Sequence, residues 1–324
     1  MMKDKDKIIV KKEEETDPSY GSDPNDRDII NHIRNGFINL DKIAGPTSHQ
    51  VTYYVKKILN IDKAGHAGTL DPAVTGILPI ALENSCKVLK ALLLCGKEYV
   101  CLMHVHKDKD AEEIKKVMQS FVGKIKQVPP VRSHVKRVLR EREIYYINIL
   151  EIKDRDVLFR VGCESGTYIR KLCDQIGKKL GTGAHMVELR RTKVGQFNED
   201  YHLVKLEDLQ LAYYLWRKEC DEKFLRYCIL PCEFAVEHLK KIWISDNAVD
   251  PICTGAQLAI PGVVKFNNEI KRNELIAIMT LKDELVAIAR SNMTSEEIQK
   301  NKKGIVCSLE RVIMKKGTYP SLKK

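Results

Sequence analysis

The chain has 324 residues, 44% hydrophobic and 6% aromatic, and a formal net charge of +11. That length supports a large core and about two domains. The positive balance favours a polyanionic partner, nucleic acid first, while the few aromatics argue against an extended stacking platform for single strands. No apolar run approaches the roughly 18 residues of a spanning helix, so no membrane partner is expected. The start Met1-Met2-Lys3-Asp4-Lys5 leads into charge rather than the apolar core expected of a secretory signal. Ten scattered cysteines without a C-x-x-C pair read as free thiols in a reducing cytoplasm.

Residues 1–34 are polar and charged and are expected to be a flexible extension, in which Ile8-Ile9-Val10 is a β-branched run suited to add an edge strand elsewhere. Order begins with a strand over 36–42, a Gly45-Pro46-Thr47-Ser48 turn with Thr47 or Ser48 as N-cap, and a helix carrying Val51, Val55, Ile58 and Leu59. A glycine-rich loop follows, then a strand over 77–82, a short helix over 85–94 and a strand over 98–105. Asp110 caps an amphipathic helix that ends near Val122-Gly123. Pro129-Pro130 breaks the chain before a basic, β-prone run over 132–140, and strands over 144–152 and 157–163 flank a turn at Asp154-Arg155-Asp156. Glu164-Ser165-Gly166-Thr167 is read as the cap of a helix bearing Ile169, Leu172, Cys173 and Ile176. A strand over 187–194 and helices over 206–218 and 221–227 close a first domain of residues 35–237. Residues 238–324 change character to short strands and turns with little helix, the pattern of a small β-barrel. The fold class expected is α+β, a mixed-sheet domain followed by a small barrel.

The most particular segment is Gly65-His66-Ala67-Gly68-Thr69-Leu70-Asp71-Pro72-Ala73-Val74-Thr75-Gly76-Ile77. Glycines relieve steric limits where backbone must come close to something, and proline fixes φ directly after the acid. The string presents one carboxylate on a shaped turn. An isolated Asp-Pro would read as a helix cap. The whole string instead closely resembles the catalytic loop of the TruB-type pseudouridine synthases, in which that Asp is essential. Pseudouridine formation breaks the glycosidic bond, turns the base and rejoins it through carbon, so no redox cofactor or activated donor is consumed. The sequence carries no P-loop, dinucleotide fingerprint or clustered His/Cys ligand set, and neither a cofactor nor a metal is expected.

The resemblance spans residues 36–320 and implies roles for further residues. Gly166-Thr167-Tyr168-Ile169-Arg170 resembles the family's second motif, whose Arg pairs with the catalytic Asp. An ionised Asp71 in a water-excluding pocket needs such a cation. Tyr99, in Lys97-Glu98-Tyr99, matches the tyrosine that stacks on the flipped uridine. Leu189, in His185-Met186-Val187-Glu188-Leu189-Arg190-Arg191-Thr192, matches an apolar residue lining the pocket, or else is plain core. His66 fills space beside the nucleotide, and Lys63, Arg190 and Arg191 are placed to meet phosphates. Lys42 and the following turn resemble the family's first motif, with Ile43 where relatives carry Pro.

Two features point to the dyskerin-type branch, the catalytic subunits of box H/ACA ribonucleoproteins. One is Pro129-Pro130-Val131-Arg132-Ser133-His134-Val135-Lys136-Arg137-Val138-Leu139-Arg140-Glu141-Arg142. The other is the PUA-like run Ile242-Trp243-Ile244-Ser245-Asp246-Asn247-Ala248-Val249-Asp250 with Cys253-Thr254-Gly255-Ala256-Gln257-Leu258. The resemblance implies that Gly255 and Ala256 meet RNA, the tail of a guide RNA or a tRNA acceptor end. It implies an archaeal, cytoplasmic enzyme that converts uridine to pseudouridine in rRNA, and in tRNA, with a guide RNA and small accessory proteins as partners. The alternatives are a stand-alone tRNA T-loop synthase and a non-catalytic RNA-binding scaffold.

Overall fold

The computed structural model describes residues 7–129 and 136–321. Part of the basic run after Pro129 therefore lies outside the described residues. Among them, eleven strands form one mixed sheet. Its main path runs Leu203–Val204, Gly36–Lys42, Thr75–Leu82, Ala184–Val194, Lys97–Val105, Asp156–Cys163, Arg140–Lys153 and Gly123–Gln127. Most neighbours are antiparallel. Thr75–Leu82 runs parallel to Ala184–Val194, and Leu203–Val204 parallel to Gly36–Lys42.

Successive side chains of a strand point to opposite faces, and the two central strands bury both. On Gly36–Lys42 and Thr75–Leu82, Ile38, Leu40, Leu78, Ile80 and Leu82 face a cluster with Val51, Val55 and Leu59 of helix Ser48–Leu59 and Leu209 and Ala212 of helix Leu206–Glu219. Phe37, Ile77 and Ala81 face the other way, into a cluster with Val88, Leu92, Val194 and Phe197. That second cluster continues without a break into Trp243, Met279, Leu285 and Ile313. The C-terminal domain thus packs on the underside of the central strands. The outer half of the sheet has its own core, in which helices Ala111–Gln119 and Ile169–Leu180 bury Ile114, Met118, Ile169, Leu172, Cys173 and Ile176.

The C-terminal domain is a six-stranded sheet in the order Ile8–Val10, Val263–Asn267, Lys240–Ile244, Leu275–Met279, Leu285–Ser291 and Cys307–Val312. Its apolar core draws on all six strands, including Ile9, Ile242, Phe266, Ile278, Ala287 and Leu309. Two helices, Asp246–Cys253 and Ser295–Lys300, also belong to it, where little helix was expected. Thr294 and Glu297 form a capping box on the second. Helix Ile169–Leu180 starts after Tyr168 without a side-chain cap, so residues 164–167 form the preceding turn rather than the cap.

The N-terminal extension is not a free tail from residue 7 onward. Ile8–Val10 pairs antiparallel with Val263–Asn267. Lys11 Nζ donates to the carbonyls of Ile298 (2.7 Å) and Asn301 (3.0 Å) at the end of helix Ser295–Lys300, where the last carbonyls lack intrahelical donors. Lys282 Nζ in turn donates to the Asp17 carbonyl at 3.0 Å. Polar composition predicts disorder because such segments bury little apolar surface. Here lysines satisfying backbone carbonyls tie the segment down.

Arg27 closes this arrangement. Its guanidinium grips Glu233 in a bidentate pair at 2.7 and 3.0 Å, both side chains being about nine-tenths buried. Glu284 lies 3.9 Å away, and burial pushes its carboxyl pKa up. Arg27→Met should therefore lower unfolding stability by about 3 kcal/mol, since a broken buried pair leaves an uncompensated carboxylate. Urea denaturation measures this.

Candidate active site

The Asp71 loop is held by its backbone and by its apolar residues. Ala67, Leu70 and Val74 point inward and are buried, while Asp71 between them is exposed. Val74 N–H donates to the Asp71 carbonyl at 3.0 Å across a turn with Pro72 second, the position its fixed φ suits. Ser48 Oγ accepts from Leu70 N–H (2.9 Å) and donates to Leu70 O (3.1 Å). Gly45 N–H donates to Pro72 O at 3.0 Å. Lys42, 1% exposed, donates through Nζ to the carbonyls of Ile43, Pro72 and Val74 at 2.9–3.0 Å. Burial lowers the Lys42 pKa, and nearby Asp71 works against that. Lys42 and Ser48 were not among the expected site residues. The signal was a lysine at the end of an apolar strand, next to the Gly45-Pro46 turn.

Arg170, second residue of helix Ile169–Leu180, donates through Nη2 to Asp71 Oδ2. The pair forms as expected, but each side chain is 56% exposed. The water-excluding pocket expected around Asp71 is thus an open site in the protein alone. Exposed pairs of this kind add little to stability.

Tyr99 and Leu189 stand on two paired strands of the sheet. Tyr99 lies opposite Arg191 in the ladder and Cys101 opposite Leu189, which puts Tyr99 and Leu189 on one face of the sheet. Both pack between the two large apolar clusters of the domain. Burial pushes the Tyr99 phenol pKa up, while the Arg191 guanidinium pulls it down. His66, on the short strand before the loop, pairs with Ile80 on the strand after it, its ring edge-on to His49 at 5.0 Å. Lys63 is exposed, as a phosphate contact requires.

The two arginines differ from expectation. Arg191 is 1% exposed and donates to Ile77 O (2.8 Å) and Gly68 O (3.0 Å), so it cannot meet phosphates. Arg190 is held by Asp41 (3.0 and 3.1 Å) and Glu199 (2.6 Å), which largely neutralise it. Gly255 and Ala256 lie on the other domain, exposed after helix Asp246–Cys253. Gly255 has φ +101° with open space where a Cβ would stand, so the bend needs glycine while the surface beside it is free. Among the described residues no group of three His, Cys, Asp or Glu side chains has metal-binding geometry.

Two measurements probe the site. Arg170→Lys keeps the charge but loses the planar fork; it should cut the single-turnover rate by about 100-fold or more, with little change in thermal stability. Burial also depresses the His66 pKa from 6.5 to about 4. The unfolded chain then binds a proton that the folded one refuses, so His66 makes stability fall as pH drops from about 6.5 towards 4. His66→Gln should flatten part of that fall, measured as Tm against pH.

Comparison with known proteins identifies the family. Models of the TruB family pseudouridylate synthase N-terminal domain and the tRNA pseudouridylate synthase B C-terminal domain match residues 56–169 and 170–237. A PUA domain model matches 240–313, and a DKCLD domain model 1–52. A protein of Pyrococcus horikoshii named probable tRNA pseudouridine synthase B is 55% identical over 98% of this chain and 96% of its own length. One of the same name from Methanopyrus kandleri is 53% identical over 97% and 92%. The archaeal box H/ACA sRNP Nop10–Cbf5 complex contains a chain 51% identical, with TM-score 0.91 over 98% of this chain and 99% of that one. A Cbf5–Nop10–Gar1 complex gives 54%, 0.94, 98% and 97%. An H/ACA RNP bound to a substrate RNA containing 2'-deoxyuridine gives 52%, 0.93, 98% and 98%. No helix among the described residues is long and apolar enough to cross a membrane. The chain belongs to the TruB family of pseudouridine synthases and carries the DKCLD and PUA domains found with it.

Proposed function

We propose that this protein is the catalytic subunit of an RNA-guided pseudouridine synthase acting on archaeal rRNA, and on tRNA. The observation that carries the chemistry is the Asp71–Arg170 pair, held out to solvent on a loop fixed from beneath, with Tyr99 beside it. A uridine in a folded RNA must leave its stack before its C1′ is reachable. The flipped base then lies against Tyr99, with Leu189 and His66 around it, and covers the pair. Asp71 acts on it as nucleophile or general base. The N1–C1′ bond breaks, the C5–C1′ bond forms, the proton lost from C5 leaves to base and N1 gains one. Arg170 stays paired with the Asp71 carboxylate once the RNA has displaced water.

The guided reading rests on likeness along the full chain, at more than half identity, to proteins solved within H/ACA particles. On this reading a guide RNA and small accessory proteins are the partners, and in an archaeal cell the work is cytoplasmic. Exposed Gly255 and Ala256, with Lys63, are the contacts assigned to RNA outside the pocket, and the turn at Gly255 allows close backbone approach. The test is a conversion assay on a defined rRNA fragment, with and without a complementary guide and the accessory proteins. Conversion only with the guide is expected. Full conversion of tRNA without any guide, and none of the rRNA fragment with one, would make the protein a stand-alone tRNA enzyme; tRNA is the substrate in its relatives' names.

A further inference from the structure

Two thiols in the core of the outer half-sheet connect the elements that carry Tyr99 and Arg170. Cys101 lies two residues beyond Tyr99 on strand Lys97–Val105 and so on the same face. Cys173 lies three residues beyond Arg170 on helix Ile169–Leu180, about one turn along. Both are fully buried, in one apolar cluster with Ile169, Leu172 and Ile176. Their sulfurs stand 3.7 Å apart, in direct contact, although 72 residues separate them in sequence. Both are free thiols. Contact with Cys173 and burial push the Cys101 thiol well above its usual pKa, and it is the thiolate that reacts. Reaction at this pair therefore goes through local opening of the helix, over minutes to hours.

We propose that Cys101 and Cys173 are a redox modification site, a dithiol that closes to a disulfide and slows the synthase by shifting Arg170 against Tyr99. The oxidant is a low-molecular-weight disulfide. One cysteine thiolate attacks a sulfur of the oxidant and expels a small thiolate. The second then attacks the cysteine sulfur of that mixed disulfide and expels the other small thiolate. Two electrons pass from the protein to the oxidant, and the two cysteine protons end on the two small thiols released. In a reducing cytoplasm the pair stays a dithiol. Bond formation brings the sulfurs from 3.7 Å to about 2.05 Å. Side-chain rotation takes up part of that closure and the helix takes up the rest. Arg170 is the second residue of that helix, and a displacement of about 1 Å near the chemistry can cost 100-fold in rate. The effect on rate rests on the reading that places Arg170 and Tyr99 in the site; the bond itself does not.

The test equilibrates the assembled particle for a day with oxidised glutathione or with dithiothreitol. The oxidised chain should lose the mass of two hydrogens, and peptide mapping without reduction should join the peptides that hold Cys101 and Cys173. Closing a loop of this length should raise Tm by about 5 °C. The single-turnover rate should fall about tenfold or more and return on addition of dithiothreitol. Cys101→Ala and Cys173→Ala should each keep the rate of the reduced protein and give no response to the oxidant; either one serves if the other does not fold. Mixed disulfides at exposed Cys220, with Cys101 and Cys173 still thiols, would overturn the site. An equal loss of rate in the alanine variants would assign the effect to other thiols of the particle and overturn the switch, as would a joined pair with an unchanged rate. Arg170→Lys in the reduced particle checks the site reading apart from this. If that variant is as fast as wild type, the placing of Arg170 fails, while the joined pair stands on its mass alone.

Discussion

Two cations buried beneath one loop, with neutral oxygens as their partners, are the constraint on which the site depends. Lys42 holds the carbonyls after Asp71, and Arg191 holds the one at Gly68 before it. Neither can be neutralised by a carboxylate at ion-pair distance among the described residues, and burial lowers the pKa of both. The loop therefore cannot relax without stranding a charge in the core, a penalty of several kcal/mol per ion. That is why Asp71 stands fixed although its own side chain is mostly in solvent. Fixed charges and dipoles need not reorganise when the reacting group arrives, and such preorganisation is often the largest single contribution to catalysis.

The same sheet face that carries the loop is coupled to the C-terminal domain. Ile77 follows the loop directly and shares an apolar cluster with Trp243, Met279, Leu285 and Ile313. On the proposed function, RNA held at the C-terminal domain would be registered against Asp71 through a continuous core rather than a flexible linker, and a misplacement of about 1 Å can cost 100-fold in rate. The threaded segment 7–28 and the Arg27–Glu233 pair brace the junction from the other side.

Much of this was legible in the sequence. The loop from Gly65 to Ile77 announces itself because its glycines, its proline and its single acid serve backbone geometry, which is local. Strands with continuous apolar runs, the Thr47 and Asp110 caps and the Ile8-Ile9-Val10 edge strand follow from local rules as well. What was not legible depends on distant partners. Arg191 looks like a surface cation until the ladder places it opposite Tyr99 and under Gly68. Arg190 looks like a phosphate contact until Asp41, far away in sequence, is brought to it. The polar N-terminal segment looks disordered because its partners are carbonyls on another element. The helix Ser295–Lys300 lies among β-rich surroundings, where its Thr294–Glu297 capping box is a short local signal.

The central claim is that a fixed Asp71 carboxylate does the chemistry while other surfaces hold the RNA. The most direct measurement is single-turnover conversion by the particle containing Asp71→Asn, with RNA affinity measured on the same sample. Asparagine keeps the shape and removes the charge. The account predicts a rate at least about 10,000-fold below wild type with RNA Kd within about twofold. A variant that still converted at more than about one hundredth of the wild-type rate, or that lost RNA binding in proportion to its rate, would contradict it.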